Sequence, residues 1–311
     1  KKTNMKIDKD DSNVWPEHFS YGYCHRYRKG INDEANGNIQ VEQTGSGYRS
    51  KWIPSDTPVR YEQLKDKVQK FGYTEDNVSY DINNHGFRHP DVFVESTNSI
   101  VFLGCSITFG IGVNYEETFA YKVAEHFSMD CINLGQPGST INACYRYAKV
   151  WLPIIKPAMV VLLYPNPSRR ELWENGSTED GFNNPKPDFL HVGNWTRYPN
   201  KGHYETLYNA HNDINEKILF EDAYLDAIKG IVNPKKKAYR STVQILTAPA
   251  YKLHSEYLQN VGQSVMEQEV DDIQATTREE APVGRDLLHP GPRIHTSLAH
   301  QIIANTGHQY P

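Results

Sequence analysis

The chain has 311 residues, 33 Lys+Arg against 38 Asp+Glu for a formal net charge of −5, and 38% apolar side chains. That length and apolar content suit one large domain or two small ones and exclude a wholly disordered chain. The mild acidic balance gives no basic footprint for nucleic acid or an anionic membrane, and no apolar run of ~18 residues is present to span a bilayer.

The opening Lys1-Lys2-Thr3-Asn4-Met5 leads into Asp8, Asp10 and Asp11 without an apolar stretch. No signal peptide is visible, and cytoplasmic localisation is the default expectation. Residues 1–98 are rich in Tyr, Asn, Asp, Gly and Lys, with weak apolar periodicity. They are expected to form an irregular extension packed on a main domain, pinned by Trp15, Phe19, Tyr21, Tyr23, Trp52 and Ile53. One helix is predicted over 61–71, from Leu64 and Val68 at i, i+4.

The texture changes at Ser99, and the main domain is expected over 99–311. Ile100-Val101-Phe102-Leu103, stopped by Gly104, reads as a buried parallel strand. A helix follows over 117–127, then a strand at 131–134 closed by Gly135-Gln136-Pro137-Gly138. Ser139 or Thr140 caps a helix over 141–151, which Pro153 and Pro157 are expected to end. The run 159–164 is a third strand. Ser168-Arg169-Arg170-Glu171 has capping-box spacing and predicts another helix start. Residues 174–216 mix glycine, proline and aromatics, as a lid-like insertion would. Helix over 218–231, strand over 243–246, helix over 251–266 and a last helix from about Ile294 complete the reading. Alternating strands and helices predict an α/β fold. It is a three-layer α/β/α sandwich around a mostly parallel, flavodoxin-like sheet, with ligands at the strands' carboxyl ends.

Cys24, Cys105, Cys131 and Cys144 show no CxxC spacing and are read as reduced thiols, two or three of them in the core. His85 and His89 are four apart, but Gly86 and Pro90 speak against a helical metal face, so no metal and no cofactor is expected.

Four turns carry residues suited to acyl-transfer chemistry. Gly104-Cys105-Ser106 presents a hydroxyl and outward N–H groups at the end of the first strand. The second turn offers the N–H of Gly138, and the third holds Asn166 between Pro165 and Pro167. Asp286 and His289 are three apart, close enough for the carboxylate to orient the imidazole. Arg169 and Arg170 are candidates for a substrate carboxylate or phosphate. Trp173, Trp195, Tyr198 and Tyr204 are candidates for stacking on a sugar ring, although aromatics in a long insertion more often pin it down.

Taken in order, Ser106, Gly138, Asn166 and Asp286-x-x-His289 resemble the four blocks of the SGNH hydrolase superfamily, the GDSL-type esterases and lipases. Asn83-Asn84-His85-Gly86-Phe87-Arg88 is similar to a stretch that precedes the first block in some members, and His289-Pro290-Gly291 to the last block. The resemblance covers about residues 83–305. It implies Ser106 as nucleophile, His289 as general base and Asp286 as its partner, with Ser106, Gly138 and Asn166 as oxyanion donors. It implies a serine esterase or deacylase for acetyl or short acyl esters, often on carbohydrate. An O-acetyltransferase of the same fold and a non-catalytic glycan-binding or structural module are the alternatives. Two positions depart from the pattern. Cys105 stands where the family has Asp, and Tyr164-Pro165-Asn166-Pro167 replaces Gly-x-Asn-Asp.

Overall fold

The computed structural model describes residues 21–22, 24, 30, 37–45, 47–89, 94–166, 169–174, 188–193, 214–232, 245–249 and 277–307. In the N-terminal part, β1 (Glu42–Thr44), β2 (Gly47–Ser50) and β3 (Tyr80–Asn83) form an antiparallel sheet in that order. Between β2 and β3 lies α1 (Pro58–Lys70). It starts where the Thr57 side chain accepts the Arg60 N–H and Pro58 takes the first turn, the position where a missing N–H does no harm. Tyr48, Trp52, Tyr61, Val68, Tyr73 and Tyr80 are buried in its core together with Phe109 and Ile111 of the following part.

The second part begins with β4 (Ser99–Leu103), the single turn α2 (Ser106–Phe109), α3 (Phe119–His126), β5 (Asp130–Asn133), α4 (Ile141–Ile155) and β6 (Met159–Tyr164). It continues with the hairpin β7 (Arg170–Glu174) and β8 (Asp188–Val192), then α5 (Ile214–Val232), β9 (Ile245–Pro249) and α6 (Pro292–Gly307). Among the described residues the central sheet runs β5-β4-β6-β9, all parallel, with Val101 opposite Ile132 on one side and Val160 on the other.

Because side chains alternate along a strand, this sheet buries two faces. Val101, Leu103, Val160 and Leu162 pack against α4 and α5 through Tyr147, Trp151 and Ile228. Ile100, Phe102, Val161 and Leu163 pack against α3 and α6 through Phe119, Val123, Leu298 and Ile302. Each such aliphatic side chain stabilises the fold by ~1.5–3 kcal/mol relative to exposure. The result is a three-layer α/β/α arrangement. Counted within the sheet, the strand order is 2-1-3-4, the flavodoxin-like order, and its switch point falls between the carboxyl ends of β4 and β6.

Two local expectations are corrected. Ser168-Arg169-Arg170-Glu171 does not start a helix: Arg170–Glu174 is a strand paired with Asp188–Val192. Its Glu171 is drawn into a buried ion pair with Arg146, a tertiary demand that outweighs local capping chemistry. Pro153 does not end α4, which runs to Ile155. The loss of one backbone donor is offset by burial of Trp151, Leu152 and Ile155, and Lys156, at φ 54°, closes the helix instead. The N-terminal part also carries more regular structure over residues 42–83 than its periodicity indicated. The helix expected over 251–266 and most of the insertion at 174–216 lie outside the described residues.

Candidate active site

The turn after β4 is shaped by a close approach. A Cβ on Gly104 would sit 2.1 Å from Thr108 Oγ1 and 2.9 Å from the Leu163 carbonyl, so only glycine fits between the strands. The chain then enters α2 with Ser106 as its first residue. A backbone N–H there has no partner within the helix. Ser106 is 8% exposed, and its carbonyl accepts the Gly110 N–H at 2.9 Å. Gly110, at φ 83°, ends the turn. Cys105 is buried in the core beneath, with Ile107 and Phe119.

The turn after β5 packs on this one. The Gly135 N–H donates to Asn133 Oδ1 at 2.9 Å, while Asn133 Nδ2 donates to the Thr108 carbonyl at 2.6 Å. A Cβ on Gly135 would come within 2.6 Å of the Phe109 nitrogen. Gly135 is thus a packing glycine whose donor is spent. Gly138, in the left-handed region at φ 67°, lies just before Ser139 and Thr140, and the Thr140 hydroxyl caps α4 by accepting the Ala143 N–H at 3.1 Å.

Asn166 follows β6 by two residues, on the other side of the switch point, and its carbonyl accepts the Arg169 N–H at 3.1 Å. The segment beyond it is anchored to α4. Arg146 donates to both carboxylate oxygens of Glu171, at 2.9 and 2.7 Å, with both side chains almost wholly buried. Asn142 bonds the Glu171 backbone on both its N–H and its carbonyl. Arg170 turns toward α5, its guanidinium 3.8 Å from the centre of the Phe220 ring, and Arg169 is half-buried beside Asn166. Trp173 lies on β7 opposite Phe189. Trp195, Tyr198 and Tyr204 lie outside the described residues.

Asp286 and His289 sit on the loop before α6. His289 Nδ1 is 2.6 Å from Asp286 Oδ2, and Asp286 Oδ1 accepts the N–H groups of Leu288 and His289 at 3.1 Å each. Leu287 takes the left-handed region at φ 52° so that this tight turn can close. Burial alone would push the Asp286 pKa up. The charge on His289 and these hydrogen bonds outweigh it, and the carboxyl stays below its ordinary value. Asp286 therefore remains an anion, with one carboxylate oxygen beside the imidazole and the other held by two backbone N–H groups. This loop meets the segment that follows the Ser106 turn: the Arg285 N–H donates to the Gly112 carbonyl at 2.9 Å, and Gly284 and Gly112 pack closely.

Several contributors carried little local signal in the sequence. Arg88 is buried, pairs with no carboxylate among the described residues, and donates to the carbonyls of Phe109, Gly110, Val113 and Ser79. It thereby holds the loop that follows Ser106. Only its place in the Asn83–Arg88 stretch marked it. His85 belongs to an aromatic cluster, stacked on Tyr21 at 5.7 Å and edge-on to Trp151 at 4.8 Å. Among the described residues no group of three or more His, Cys, Asp and Glu side chains is placed to hold a metal ion. None of their helices is long and apolar enough to cross a membrane. Cys24, Cys105 and Cys144 are buried and Cys131 is half-buried, all as free thiols. Burial raises the Cys131 thiol to about 12, which keeps it protonated.

The chain matches no family model and no curated protein. Among solved structures, it is similar to a putative lipolytic protein of the G-D-S-L family from Desulfitobacterium hafniense, at 12% identity and a TM-score of 0.35, over 66% of this chain and 97% of that one. A gut microbial diltiazem-metabolizing enzyme is similar at 15% identity and a TM-score of 0.30, over 70% of this chain and 48% of the other. Both TM-scores lie below 0.5.

Proposed function

We propose that this protein is a serine esterase that cleaves acetyl or short acyl esters through an acyl-enzyme on Ser106. The observation that carries this reading is the buried Asp286 carboxylate 2.6 Å from His289 Nδ1, on a loop bonded to Gly112, two residues past the cap of the Ser106 turn. In the first half-reaction the Ser106 Oγ–H proton passes to His289 Nε2 while Oγ bonds to the ester carbonyl carbon. The N–H groups of Ser106 and Gly138 and the Asn166 side-chain amide receive the developing oxyanion. The intermediate collapses as the alcohol oxygen leaves with the proton from His289. Water then attacks the acyl carbon, giving its proton to His289. Ser106 leaves with that proton and the carboxylic acid is released.

The strand order supports the same reading, since Ser106 and Asn166 follow the two strands that flank the switch point, where ligands of such sheets bind. The test is hydrolysis of a chromogenic acetate ester by wild type and Ser106→Ala. The expected result is turnover by wild type and none by the variant above background. Equal turnover by the two proteins would remove the serine mechanism.

A further inference from the structure

The loop that carries Asp286 and His289 is anchored at several points by the N-terminal part of the chain. Tyr73 donates its hydroxyl to the Val283 carbonyl at 2.9 Å, and Arg60 Nε donates to the Asp286 carbonyl at 2.7 Å. Between these points Arg285 is wholly buried, with its guanidinium 3.9 Å from the centre of the Trp52 ring. It donates to the Lys51 and Glu75 carbonyls and, through Nε and Nη2, to the Asp56 carboxylate. Asp56 is 1% exposed and receives a second arm. The Tyr80 hydroxyl donates to Asp56 Oδ2 and accepts the Gly112 N–H at 2.9 Å, while the Tyr80 ring stacks on Phe109 at 6.0 Å. Phe109 is the last residue of the one-turn helix that begins at Ser106.

One carboxylate therefore ties two elements that are far apart in sequence. Through Arg285 it fixes the residue next to Asp286, and through Tyr80 it fixes the loop that ends the Ser106 turn. We infer that Asp56 is a positioning residue, which sets the relation between Ser106 and the Asp286–His289 pair through Arg285 and Tyr80. The inference rests on the serine-esterase reading above. Asp56 touches no reacting atom on this account. Its removal leaves every catalytic group present but lets the two loops drift, and a misplacement of about 1 Å can cost on the order of 10²-fold in rate.

The test uses the full chain and two variants. Asp56→Asn keeps an acceptor but removes the charge that holds Arg285. Tyr80→Phe removes only the hydroxyl that joins Asp56 to Gly112 and keeps the ring on Phe109, so it remains informative if the first variant does not fold. Arg49→Ala, which breaks the exposed Arg49–Asp81 ion pair of the same sheet, is the control. Active sites are counted with a fluorophosphonate, and kcat and KM for a chromogenic acetate are expressed per labelled Ser106. We expect kcat per labelled site to fall roughly tenfold or more for Asp56→Asn and a few-fold for Tyr80→Phe, with KM nearly constant and the control unchanged. A merely structural role would lower the number of labelled sites and leave kcat per site at the wild-type value, which would overturn the inference. No labelling of Ser106 in the wild type would instead refute the serine-esterase reading itself.

Discussion

His295 gives a quantitative handle on the fold around the site. It lies in the first turn of α6, 1% exposed, stacked on Phe119 at 6.0 Å, and its Nδ1 accepts the Phe119 N–H at 3.1 Å. Burial first, then the charges of Arg88, His289 and Lys122, lower its pKa from 6.5 to about 3. As pH drops below the unfolded-state value, the unfolded chain binds a proton that the native protein refuses, so stability falls steadily until the native pKa is reached. Between about pH 8 and about pH 4 this one group removes ~3 kcal/mol of stability. His295→Asn keeps an acceptor for the Phe119 N–H but cannot titrate. Denaturant unfolding of both proteins across that range isolates the effect, because all other groups are common to both. The variant is expected to lose ~3 kcal/mol less than wild type on acidification, even if it starts less stable. Parallel stability curves for the two proteins would refute the assignment of a buried neutral imidazole.

Cys105→Ala should retain most esterase turnover, since that thiol lies in the core with Ile107 and Phe119, whereas Ser106→Ala should lose it; a dead Cys105→Ala protein with an unchanged melting temperature would reverse the assignment. Asn166→Ala should lower kcat by roughly 10²–10³ with little change in KM, because an oxyanion donor acts on charge that develops in the transition state. Acylation kinetics measured beside the melting temperature decide this, since a loss of rate matched by unfolding would make Asn166 a turn residue only. Gly104→Ala should destabilise the protein by about 1–3 kcal/mol or more, as its methyl would meet the Leu163 carbonyl at 2.9 Å; an unchanged denaturation midpoint would contradict the packing of that turn.

The central sheet was legible chiefly because β4 and β6 are short apolar runs stopped by Gly104 and Pro165, and buried parallel strands leave that pattern. The Asp286–His289 pair was legible for a similar reason, since its chemistry is complete within four residues. Ser168–Glu171 misled because a capping box is a local preference, while Glu171 answers to Arg146, 25 positions earlier. The N-terminal sheet was hidden by short strands and by Gly47, whose Cβ would lie only 1.8 Å from the Ile82 carbonyl. Asp56 and Arg285 were beyond sequence reasoning altogether. They are 229 positions apart, and nothing near either residue announces the other.

The most direct test of the account is the site of covalent modification by a fluorophosphonate, mapped by mass spectrometry in wild type and in His289→Ala. Ser106 with a working base should be labelled quickly in the wild type, and at a rate lower by orders of magnitude in the variant. An adduct on any residue other than Ser106, or equal labelling of Ser106 in the two proteins, would contradict the proposed mechanism.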